Sequence, residues 1–148
     1  LAKLYMKEPG SRKLASWVGE RTHGASPSVR LFVSRMVLPE TISAITRRRN
    51  ERKVDAFGAL QLWNIVLSDF MGRDSRYEII EPTEAVVLRA ALLVAAHGLR
   101  GYDAVQLASA LAIQVRLSDP DALVFVSADH SLSEAARAEG LAIADPTT

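Results

Sequence analysis

The sequence contains no cysteine. Disulfide staples and thiolate metal sites are therefore excluded, and the composition fits a reducing compartment. Long apolar runs are also missing. Arg89 interrupts the best candidate stretch, which also contains His97, so no segment reaches membrane-spanning length. The opening residues do not read as a secretory leader, and the expected location is the cytoplasm. No GxGxxG, P-loop, HExxH or GxSxG pattern occurs, which removes the usual signatures of dinucleotide, nucleoside triphosphate, zinc-protease and serine-hydrolase chemistry.

What is present is an ordinary soluble composition, with 49% hydrophobic and 24% charged residues over 148 positions. That length suggests one domain spanning residues 1–148, large enough to bury about 68–70% of its unfolded surface. The net charge of +1 conceals an asymmetry. Residues 1–53 hold 12 Lys/Arg against 4 Asp/Glu, whereas residues 54–148 hold 6 against 13. A basic part and an acidic part in one chain suggest a polyanion path beside a cation site. An uneven solvated surface has the same composition.

Leu1–Lys7 reads as a short helix broken by Pro9 and Gly10, and Ser11 to about Arg21 as a second helix. Gly24–Ser28 reads as a loop and Val29–Val33 as a strand. Ser34 then has the look of an N-cap for a helix through Arg52, with Pro39 inside it expected to bend the helix or cost a backbone bond. Asp55 to about Met71 is apolar at helical spacing. Tyr77–Ile80 is a predicted strand, and Thr83 and Gly98 bracket a helix ending near His97. A further helix runs from Asp103 to about Leu117. Ala122–Val126 has the continuous apolar character of a strand buried on both faces. Ser131 and Glu134 have the spacing of a capping box for a short helix ended by Gly140, before a last strand over Leu141–Ala144. Alternating strands and helices predict a three-layer α/β fold with a mainly parallel central sheet, whose ligands sit beyond the strands' carboxyl ends.

Three acids stand out in that frame. Glu40 lies on a helix after a strand, amid Leu38, Ile42 and Ile45, and reads as facing inward. Asp103 opens an almost wholly apolar helix, and Asp129 follows an apolar strand. Each has a simple reading as a cap or surface acid, and Asp103 with Gln106 has capping-box spacing. Together at one sheet edge they would repel one another unless a cation held them. Oxygen-only donors suit Mg²⁺ or Mn²⁺, which activate water and stabilise charge on a phosphodiester. Ser127 could support a metal-bound water or simply end a strand. Arg47, Arg48, Arg49, Arg52 and Lys53 could meet RNA phosphates or form a solvated helix end. His23, His97 and His130 are scattered, and Trp17 and Trp63 fall in helical apolar patterns that fit core or interface better than base stacking.

The stretches "LRGYDAVQLASAL", "VFVSADHSL" and "KLYMKEPGS" resemble the PIN-domain family, specifically the VapC-type toxins of toxin–antitoxin pairs. The resemblance implies a PIN-like three-layer α/β/α fold and a Mg²⁺- or Mn²⁺-dependent endoribonuclease, dimeric and held inactive by a VapB-like antitoxin. It matches Glu40, Asp103 and Asp129 to the metal-binding acids and Ser127 to a position where a hydroxyl is common. It also implies a preceding apolar strand ending in Asp, which the sequence before Leu1 would have to supply. Without that acid the same residues suit a non-catalytic RNA- or partner-binding module. A phosphatase or receiver-like Mg²⁺ site is a third reading, but it lacks a nucleophilic Asp after a first strand.

Overall fold

The computed structural model describes residues 4–6, 8–19, 30–72, 75 and 77–148. Their order is α1 (Ser11–Gly19), β1 (Phe32–Ser34), α2 (Val37–Asn50), α3 (Ala56–Met71), β2 (Glu78–Ile80), α4 (Glu84–His97) and α5 (Gly101–Gln114). A 3-10 turn (Pro120–Ala122), β3 (Val124–Val126), α6 (His130–Ala138) and β4 (Ala142–Ala144) follow. The protein is thus mixed α/β. The predicted loop at Gly24–Ser28 lies outside the described residues, as does His23. The chain divides into two compact units, one of residues 1–33 and 37–79, the other of residues 34–36 and 80–148.

In the first unit, the core gathers Met6, Val37, Ile45, Ala59, Val66, Phe70 and Tyr77. The inward face of α2 is Val37, Thr41 and Ile45, each one helical turn from the last. Pro39 does not interrupt this helix. It is the third helical residue, where the backbone N–H has no intrahelical acceptor to lose. Asp55 caps α3 by accepting from the Gly58 amide at 2.7 Å. The Tyr5 hydroxyl, 2.8 Å from both Asp69 Oδ2 and the Tyr77 hydroxyl, ties the amino-terminal segment to α3 and to the residue before β2. Burial, with these partners, raises the Tyr5 pKa well above its ordinary range. The expected helix at Leu1–Lys7 is not α-helical at Leu4–Met6.

The second unit packs α4, α5 and α6 through Val86, Ala90, Leu93, Ala104, Leu107, Ala108, Leu132, Ala135 and Ala136. Thr83 and Gly98 cap α4 as the sequence suggested. β3 and β4 pair in parallel, with Val126 opposite Ala144. Two sequence expectations need correction here. Ser34 is not an N-cap: it ends β1, is buried, and its hydroxyl has no hydrogen-bond partner among the described residues. β3 is not buried on both faces either. Among the described residues the strands form two pairs, β1 with β2 and β3 with β4, so β3 has one neighbour, and Val124 and Val126 stay 49% and 45% exposed.

Two residues at helix ends share left-handed backbone but differ in chemistry. Gly98 has φ 65°, with nothing near the position of an added Cβ. Arg52 has φ 56° and closes α2: Lys53 N–H donates to the Arg48 carbonyl and Arg52 N–H to that of Arg49. Gly98→Ala is expected to cost about 1–2 kcal/mol, since only backbone strain is added. Arg52→Gly should stabilise by up to about 1 kcal/mol, the strain relieved being partly offset by glycine's freedom when unfolded. Urea unfolding of both variants checks the opposite signs.

Candidate functional site

The parallel pair β3–β4 delivers two turns to one edge, because strands that run together end together. Ser127 follows β3, and its amide donates to the Ala144 carbonyl at 3.2 Å. The Ser127 hydroxyl accepts from the Asp129 amide at 3.0 Å, which fixes the turn leading into α6. Asp129 is the N-cap of α6: its Oδ1 accepts from the Leu132 amide at 2.9 Å. The capping-box spacing of Ser131 and Glu134 points to a cap two residues later than the one that forms. The cap uses Oδ1, and Oδ2 has no hydrogen bond among the described residues. Asp129 is also solvent-exposed, so an incoming ligand can reach it.

Asp103 differs from its sequence reading in an informative way. It is not the cap of α5. The helix begins two residues earlier at Gly101, and the N-cap, Arg100, makes no side-chain capping bond. The Asp103–Gln106 capping box is therefore absent, because both residues already lie inside the helix. Asp103 sits half-buried in the first turn. Burial raises its pKa above the ordinary carboxylate value and the nearby Asp129 charge adds to the rise, while Arg100 opposes it. The Asp129 charge thus acts on Asp103, and no ion pair or hydrogen bond to Asp103 is present among the described residues. The Tyr102 hydroxyl donates to the Met36 carbonyl, which holds the start of α5 against the turn after β1.

Glu40 does not face inward. It is exposed in the first turn of α2, because the buried stripe Val37, Thr41, Ile45 passes beside it. It belongs to the first unit, whereas Asp103, Ser127 and Asp129 belong to the second. Among the described residues, no group of three or more His, Asp or Glu side chains is arranged to hold a metal ion. Sequence reading overlooked Asp145. It is the first residue after β4, whereas Asp129 is the third after β3, and an acid directly after an apolar strand is visible in the sequence. Its Oδ1 is engaged by the Thr147 amide at 2.7 Å and the Thr147 hydroxyl at 2.6 Å.

The basic run at the end of α2 is partly neutralised. Arg48 pairs with Glu8 at 2.9 Å and Lys53 with Glu51 at 2.7 Å. Arg49 lies over the Trp63 ring, 6.0 Å from its centre. Arg47 and Arg52 form no ion pair among the described residues. Arg47 lines a recess of about 170 Å³ with Glu8, Ala44, Arg48, Glu51 and Lys53. In the second unit His97 bonds Glu139 at 2.8 Å, beside the Arg89–Glu139 pair. His130, the first residue of α6, is exposed.

The dual position of Asp129 makes a clean test. Asn caps helices as well as Asp does, so Asp129→Asn should leave thermal stability within about 0.5 kcal/mol while removing the charge. Asp129→Ala should cost about 1 kcal/mol through the lost cap. Urea unfolding of both variants, with only the Ala form destabilised, shows that the cap depends on the side-chain oxygen and not on its charge.

No protein-family model, curated protein or solved structure matches the chain. No single helix among the described residues is long and apolar enough to cross a membrane.

Proposed function

We propose that this chain is a divalent-cation-dependent endoribonuclease, a PIN-like, VapC-type toxin restrained by a VapB-like antitoxin. The observation that carries this reading is the Asp103–Asp129 pair: the charge of Asp129, in the turn after β3, acts on Asp103 in the first turn of α5, and Asp103 is half-buried without an ion pair among the described residues while Asp129 keeps one oxygen outside its cap. That donor set fits Mg²⁺ or Mn²⁺, which take all-oxygen ligands and need only one or two protein carboxylates beside water and phosphate. When bound, such a cation lowers the pKa of water and stabilises charge on a phosphodiester.

The chain's own contributions follow from its local structure. Ser127 holds the Asp129 backbone, and α5 sets Asp103 on a helix end whose positive potential favours negative charge. For the RNA backbone the reading takes Arg47 and Arg52 ahead of Arg48, Arg49 and Lys53, whose charges are paired or stacked. The resemblance adds Glu40 as a third acid, and Glu40→Gln tests it separately. The PIN-like three-layer arrangement and a cytoplasmic location belong to the same proposal.

The deciding experiment incubates the full chain with single-stranded and loop RNA in Mg²⁺ or Mn²⁺, with and without EDTA. Cutting that needs the metal supports the reading. Cutting that survives EDTA sinks the metal mechanism, and RNA retained without cutting, with or without metal, favours the non-catalytic binding module.

A further inference from the structure

The second unit holds nine Asp and Glu residues against five arginines, and no lysine. Three of the arginines are engaged in ion pairs: Arg35 with Glu81, Arg89 with Glu139 and Arg137 with Glu134. The other two, Arg100 and Arg116, have no side-chain partner among the described residues. They stand at opposite ends of one helix: Arg100 is the N-cap of α5, and Arg116 lies two residues past its last residue, Gln114. The two ends differ in what surrounds them. Arg100 precedes Asp103 by three positions, the interval that brings an N-cap side chain and the third helical residue to one side of a helix start. The Arg100 charge reaches Asp103, where it opposes the effects of burial and of Asp129. Yet Arg100 makes no ion pair with Asp103 and no capping bond, and it is exposed. Its neighbour Gly101 is exposed too, and a Cβ added there meets nothing within 4 Å beyond its own neighbours in the chain. The surface beside Arg100 is therefore open to an incoming strand. Arg116 is on the order of 20 Å further along the helix axis.

We propose that Arg100 is a substrate-binding residue, whose guanidinium holds the non-bridging oxygens of an RNA phosphate beside Asp103 and Asp129. The inference rests on the RNA substrate of the proposed function, but not on cutting. Two carboxylates by themselves repel an approaching polyanion. Arg100 supplies the opposite charge next to them, in a unit whose other arginines are paired or remote. The planar fork of a guanidinium matches phosphate oxygens two at a time, which a lysine does not. Because Arg100 has no side-chain partner among the described residues, binding a phosphate breaks no existing pair.

The test is fluorescence anisotropy of a labelled single-stranded RNA bound by the full chain in EDTA, over a series of salt concentrations. Arg100→Gln removes the charge, Arg100→Lys keeps it, and Arg116→Gln removes a like charge from the far end of α5. None should shift the melting temperature, since neither arginine has a partner to lose among the described residues. Each phosphate contact on a single strand contributes about 0.7 to the slope of log affinity against log salt. Arg100→Gln should flatten the slope by about 0.7 and weaken binding about 10-fold or more. Arg116→Gln should leave both unchanged, and Arg100→Lys should keep the slope. In Mn²⁺, kcat/KM for cutting should fall about 10- to 100-fold in Arg100→Gln and not in Arg116→Gln. A slope indifferent to Arg100→Gln overturns the inference, and so does an equal loss in Arg116→Gln, which makes the effect one of net charge. Melting lowered in Arg100→Gln and Arg100→Lys alike overturns it too, because the arginine then serves the fold. Metal-dependent cutting with an unchanged Arg100→Gln slope leaves the proposed function standing and removes Arg100. An Arg100-dependent slope without cutting does the reverse, and a chain that binds no RNA overturns both.

Discussion

Asp103→Asn should lower cation-dependent RNA cleavage by about 100-fold or more, at least the loss seen when support of a metal site is removed. The substitution keeps the size and shape of the side chain and removes its charge. Stability supplies a second, independent readout. The folded-state pKa of Asp103 lies above its ordinary value, through burial first and the Asp129 charge second. Folding therefore favours the protonated acid. That contribution is complete below the unfolded carboxylate pKa, near about 3.9, and is lost as pH rises through the higher folded value. At neutral pH, in EDTA, the wild-type chain thus carries a destabilising charge that Asn lacks. Asp103→Asn should melt at the higher temperature there, and the gap should close as the pH falls below about 4. On the proposed function, saturating Mn²⁺ should reverse the order, since a ligand at 100 times its Kd stabilises by about 2.7 kcal/mol and the variant would lack a proposed metal-holding carboxylate. Equal melting of the two proteins at neutral pH, with and without Mn²⁺, would remove Asp103 from the site.

The largest stability loss is expected from Leu107→Ala. Leu107 is fully buried in the second unit, one turn beyond Asp103 on the same helix. Truncation removes transfer free energy and leaves a cavity, for about 2–5 kcal/mol. Against a typical total of about 5–15 kcal/mol, that is enough to shift the urea midpoint markedly. Leu88→Ala on α4, 61% exposed, should change stability by less than about 0.5 kcal/mol. A Leu107→Ala effect as small as that of Leu88→Ala would contradict the packing of α4 against α5.

Local chemistry made much of the structure legible in advance. Thr83 and Gly98 bracket α4 as read, because a hydroxyl cap and a left-handed glycine act within a few residues. Asp55 to Met71 forms α3 and its cap for the same reason. Other readings failed where two local rules competed. Asp103 and Asp129 both carry side chains that cap helices, yet only Asp129 does so, because α5 starts two residues before Asp103 and α6 one residue after Asp129. Pro39 looked disruptive only until the start of α2 was known.

The sequence by itself determined the excluded chemistries, the order of helices and strands from Ser11 onward, and the acids worth watching, since composition, periodicity and caps are short-range properties. Only the tertiary structure decided which acids meet. Asp103 and Asp129 are 26 positions apart in the chain, and the Asp129 charge acts on Asp103 because α5 and the turn after β3 belong to one unit. Exposure was decided the same way. The sequence marked α3 as apolar at helical spacing and β3 as apolar throughout, but which of those residues are buried depends on which neighbours arrive, and no local pattern records that.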